Sequence, residues 1–143
     1  MSALDYYKFI RTSVQLSNVK LLSINCKNYD KGVKDEQLSL VLNRAVNVVS
    51  DTKALIQLHT KVHFEEGGPF SIEVVFQGET KLLDTNINKE DFERYNYDQV
   101  VPLLLPYARE CVANLLARMN LPIYTIPTMD ILESIKHNSE GME

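Results

Sequence analysis

The sequence contains no tryptophan, and only two cysteines, five glycines and five prolines in 143 residues. Cys26 falls at the end of a strand-like segment and Cys111 on the apolar side of a helix-like one. That placement argues against a disulfide framework and for two buried, reduced thiols in a cytoplasmic protein. The few glycines leave nothing for a phosphate cradle, since Gly67-Gly68 reads as a hairpin turn. Positive charge is short too. The formal net charge is −4 and the basic residues are scattered, so nucleic acid is disfavoured as a partner. No apolar run is long enough to cross a bilayer, so no direct membrane insertion is expected. The chain begins without the charged-then-apolar pattern of a secretory signal. There is no internal repeat.

What remains is an ordinary globular composition, 45% hydrophobic and 24% charged, enough for one domain over residues 1–143 with its own core. The longest pattern is an apolar approach, Val100 to Leu105, followed by a helix. Pro106 suits the first turn, where its missing N–H has no partner in any case. Ala108, Cys111, Val112, Leu115, Leu116 and Met119 then recur at three- and four-residue spacing. The other side carries Arg109, Glu110, Ala113, Asn114, Ala117 and Arg118. Small Ala113 and Ala117 would let a second body approach closely. Asn120 and Pro122 end the helix.

Before it come four strand-like segments. Val14–Cys26 alternates but slips phase between Leu16 and Val19 and again between Leu21 and Ile24. Bulges produce such slips; two partly covered faces would also. Leu38–Val49 is apolar at every second residue except Arg44. Ala54–Phe64 and the segment from Phe70 alternate cleanly, with a turn at Glu65–Pro69. Successive strands with tight turns predict an antiparallel meander with one wet face. Leu83–Asp98 reads as a long crossover with a helical turn at Lys89–Arg94. Residues 1–12 form an arm with a short helix over Ala3–Ile10. Leu121–Pro127 is extended, Thr128 caps a last helix over Met129–His137, and 138–143 is a polar tail. The expected class is α+β, a four-stranded antiparallel sheet with a long helix on one face and a short C-terminal helix.

No catalytic, cofactor or metal constellation stands out. His59 and His63 share one side of a strand but lie roughly 13 Å apart, too far for one ion. Acidic pairs such as Glu65-Glu66 and Glu90-Asp91 are turn and loop residues. Apolar and aromatic residues do occur where loops are usually polar: Phe92, Tyr95, Tyr97, Ile123, Tyr124 and Ile126. Either they fasten the loops to the core, or they border a groove for extended, apolar polypeptide.

The run Leu105-Pro106-Tyr107-Ala108-Arg109-Glu110-Cys111-Val112, with the Pro-interrupted segment and last helix after it, resembles the SecB-type protein-export chaperones. The order of elements from Val14 to Ile135 agrees with that family. The resemblance implies an ATP-independent holdase for unfolded polypeptides such as preproteins, without cofactor and not an enzyme. It also implies a homotetramer built as a dimer of dimers, with the helices between two sheets and the face of Arg109, Ala113 and Ala117 as subunit contact. Tyr97, Tyr124, Ile126 and Leu132 match the border of the client groove. Glu73 matches one acid of the surface that docks the translocation motor SecA, while the two first-strand positions hold Ser23 and Lys27 instead. SecB-like proteins that protect the antitoxin of a toxin–antitoxin pair offer a second reading, with one dedicated partner. A thioesterase-like enzyme, with Glu110 as its carboxylate, is a third.

Overall fold

The computed structural model describes residues 14–31, 38–64, 68–83, 86–124 and 126. Four strands, β1 (Val14–Asn28), β2 (Leu38–Val48), β3 (Lys53–Phe64) and β4 (Phe70–Leu82), form one antiparallel sheet in the order β1-β4-β3-β2. The meander runs through β2, β3 and β4. β1 then pairs with β4, so β1 and β2 are the two edges.

Alternation decides which side is covered. Ala54, Ile56, Leu58 and Val62 of β3 are buried, as are Phe70, Ile72, Val74, Phe76 and Leu82 of β4. Their odd-numbered neighbours form the opposite, outer face, and Lys61, Glu73 and Glu79 there are exposed. The slips in β1 are bulges. Its register shifts between Ser17 and Lys20 and again between Leu21 and Ser23, and Asn18 inside the first shift is left-handed (φ 52°). The bulges return Leu21, Ile24 and Cys26 to the inner side, opposite Phe76, Val74 and Ile72.

The second layer is one helical path of changing pitch. α1 (Lys89–Tyr95) opens on Asn88, whose side-chain oxygen accepts from the Asp91 N–H at 2.8 Å. A π turn (Asn96–Val100) and a 3-10 turn (Val101–Leu104) lead into α2 (Leu105–Arg118). The apolar approach is therefore helical, and Pro102 explains its uneven pitch. An α-helix would press the proline ring on the Asp98 carbonyl and leave that oxygen without a donor. Instead the Val101 N–H reaches back to Asn96 O, and the Leu105 N–H bonds Pro102 O. α2 ends in a Schellman motif. Asn120 is left-handed (φ 57°), its N–H bonds Ala117 O, and the Leu121 N–H bonds Leu116 O, both at 3.1 Å.

The whole path, Lys89–Arg118, is 30 residues and by length and composition alone would suffice to cross a bilayer, contrary to the reading of single apolar runs. Its apolar residues are used otherwise. Phe92, Val100, Val101, Leu104, Leu105, Ala108, Val112 and Leu116 close the core against the inner face of the sheet. Gly78 on β4 makes room for the Leu16 side chain of β1, because a Cβ there would stand 2.6 Å from Leu16 Cδ1. The helices expected over Ala3–Ile10 and Met129–His137, and the tail, lie outside the described residues.

Candidate functional site

Arg44 is the one break in the apolar series of β2, and the structure gives it a purpose. From the inner face it reaches the crossover. Its Nη1 donates to Tyr97 O at 3.0 Å and to Asp98 Oδ1 at 3.2 Å, and its guanidinium lies 5.1 Å from the centre of the Tyr97 ring. One side chain thus ties the π turn to the edge of the sheet through a charged bond, a carbonyl and a ring face. Tyr97, Arg44, Asp98, Glu90, Glu93 and Arg94 wall an open cleft of about 470 Å³.

The other aromatic residues divide. Phe92 and Ile126 are fully enclosed and Tyr95 nearly so. α1 carries Phe92 into the core and buries Tyr95, and Ile126, beyond α2, joins the core as well, so within the chain these three seal rather than border an open groove. Tyr97 is half-buried, Tyr124 is half-buried against the core, and Ile123 is 60% exposed. Burial pushes the Tyr124 hydroxyl above its ordinary pKa. Leu132 lies outside the described residues.

The larger apolar surface is one that periodicity did not single out. α2 lies over β4 and leaves the β1 side of the inner face open. Leu21 and Ile24 are each 42% exposed there, and Tyr107 of α2, 46% exposed, meets Phe76 at a ring distance of 6.0 Å. Cys26, expected to be buried, is exposed on the same side because no helix covers it. Cys111, also expected to be buried, is half-buried. Its thiol is pushed up by burial first, then by the nearby Glu110 and Cys26. The bulges that brought these β1 residues inward were the available signal.

On α2, Arg109 and Ala113 are half-buried and Ala117 is exposed. Glu73 is exposed on the outer face, opposite Asn25 on one side and Lys61 on the other, with Lys27 further along β1. Glu110 is exposed. His59 is held by its neighbour, with Nε2 3.0 Å from Gln57 Oε1. Among the described residues no three of His, Cys, Asp and Glu gather as a metal site would require.

This arrangement, an antiparallel four-stranded sheet under one long helical layer, is the SecB-like fold. It is similar to the SecB-like chaperone Rv1957 of Mycobacterium tuberculosis, solved in complex with a ChAD peptide from the Rv1956 HigA1 antitoxin. The TM-score is 0.69 at 16% identity, over 90% of this chain and 99% of that one. A protein of unknown function from Streptococcus agalactiae is a looser likeness, with a TM-score of 0.41 at 9% identity over 80% of this chain and 97% of that one. No family model and no curated protein matches the sequence.

Proposed function

We propose that this protein is an ATP-independent chaperone that holds a polypeptide in extended form, and that it serves a dedicated partner of the antitoxin type rather than preproteins at large. The observation that carries this is the likeness along nearly the whole chain to a SecB-like chaperone solved with an antitoxin peptide. The sheet supports the narrower reading. A surface for the motor SecA calls for acids, and of the three family positions only Glu73 is acidic, beside Ser23 and the basic Lys27. The holding surface is made by Tyr97, Ile123 and Tyr124. The working form is a cytoplasmic homo-oligomer, a dimer of dimers.

The energetics suit holding rather than folding. Covering apolar client surface yields about 25 cal/mol per Å². Ordering an extended chain costs roughly 1–2 kcal/mol per residue. The two nearly cancel for one segment, so a single site binds weakly and releases readily. Several sites on one body raise the hold on a long client without any new contact.

The test has two arms. The purified protein suppresses aggregation of a chemically denatured reporter enzyme without ATP, and Tyr97→Ala with Tyr124→Ala weakens that suppression while the assembly size stays unchanged. Full suppression by the double variant would remove these residues from the surface. Capture of the tagged protein from its own cells, followed by mass spectrometry, yields one stoichiometric partner. A broad spread of preproteins would return the general export reading.

A further inference from the structure

The outer face of the sheet carries a charge imbalance opposite to that of the chain. Antiparallel partners share a face, so the register places Lys20, Lys27, Lys53, Lys61 and Lys81 there with only Glu73 and Glu79. This local surplus of positive charge sits on a chain of net charge −4.

It is not evenly compensated. Towards the β3–β4 turn, Lys61 stands opposite Glu73, and the Lys27 ammonium lies 5.3 Å from the centre of the Tyr29 ring. At the other end, Lys53 and Lys81 are direct cross-strand partners. Like charges placed directly opposite destabilise a sheet. Neither lysine has an ion pair with a described residue. Glu79 is engaged elsewhere, accepting from Asn18 Nδ2 at 2.7 Å. Asp51, in the turn before β3, lines a different cleft with Thr52, Leu82 and Ile87. The lysine pair opens into a cleft of about 330 Å³ whose walls include Ser17, Val49, Leu55 and Glu79. Val49 is 60% exposed. Two ammonium groups with no ion pair among the described residues therefore adjoin two apolar side chains.

We propose that this cleft docks an acidic stretch of another polypeptide, with its carboxylates on Lys53 and Lys81 and an apolar side chain between Val49 and Leu55. Charge complementarity selects the occupant. A nucleic acid would bring a continuous row of phosphates against Glu79 and would find no aromatic ring in the cleft wall on which to stack a base. A peptide can place a neutral residue beside Glu79. The cleft is on the opposite side of the sheet from the holding surface, so a docked partner and a held client do not compete. Both lysines are exposed, so docking is weak and sensitive to salt.

The probe is a fluorescein-labelled peptide rich in glutamate with two leucines, followed by anisotropy on the full chain. Expected is binding that weakens about tenfold in Lys53→Gln with Lys81→Gln, or on raising salt to roughly 0.5 M, but not in Lys61→Gln. The double glutamine variant unfolds at no lower temperature than the parent, because a repulsion has been removed, and it suppresses aggregation as well as the parent. Unchanged affinity in that variant overturns the proposal. So does tighter binding of a single-stranded oligonucleotide, or displacement of the peptide by inorganic phosphate at equal concentration. Loss of peptide binding in Tyr97→Ala with Tyr124→Ala also overturns it, because the probe then sits on the holding surface.

Discussion

The Arg44 side chain holds the crossover to the sheet by a carbonyl, a carboxylate and a ring face. Replacing it with Gln removes a charge-assisted bond that is partly open to water, at a cost of about 1–2 kcal/mol. Urea denaturation reads that loss, and Arg44→Lys, which keeps the charge without the planar fork, falls between. Equal midpoints for all three proteins would mean the clamp contributes nothing. The cysteines give a second residue-level expectation. The folded pKa of Cys111 lies above its unfolded value, so the folded state keeps the proton longer. That stability is fully present below the ordinary thiol pKa of about 8.5 and is lost as pH rises through the folded value. Cys111→Ser should flatten this part of the stability curve above pH 8.5, leaving the later decline due to Tyr124. At neutral pH a thiol reagent should modify exposed Cys26 well before Cys111.

Whole elements were legible in the sequence. The four strands, both slips of β1, the helical turn in the crossover and the Asn120 stop all follow from period, phase and turn chemistry, which are local. The pairing of β1 with β4 is not local, because nothing in a strand names its neighbour across the chain. Nor is the choice between a loop aromatic that seals and one that stays open. Phe92 and Tyr97 are five residues apart, but Phe92 lies in α1 and is enclosed, while Tyr97 lies in the π turn that follows and is half-open. The turn itself rests on Asn96, which is buried and donates from Nδ2 to Phe92 O at 2.9 Å. Asn96→Leu is of similar volume and removes that donor, but Phe92 O keeps the Asn96 backbone N–H, and a buried Oδ1 without a partner among the described residues goes too. The expected cost is therefore that of one lost hydrogen bond, about 1 kcal/mol. Hydrogen exchange should show the loss concentrated in Phe92–Leu104, and a uniform loss across the sheet would contradict a local role for the turn.

At the scale of the molecule, the single chain is unfinished on two sides. Among the described residues β1 is a sheet edge, beside the open side chains of Leu21, Ile24 and Tyr107. The far side of α2 presents Arg109, Ala113 and Ala117. A long apolar edge left bare invites uncontrolled pairing, so a stable protein covers it. Two distinct self-complementary surfaces are also what a closed dimer of dimers requires, one for each two-fold contact. The expectation is therefore graded. Leu21→Glu with Ile24→Glu places charge on side chains already open to water, so the chain should still fold, and light scattering should find dimers joined through α2. Ala113→Arg should likewise leave dimers, now joined through β1. Combining the three changes should leave single chains with an unchanged circular dichroism spectrum. If the β1 variant kept the parent mass, the bare edge would belong to the client and not to a second copy, and the same variant should then lose its hold on an unfolded chain while its size stays fixed.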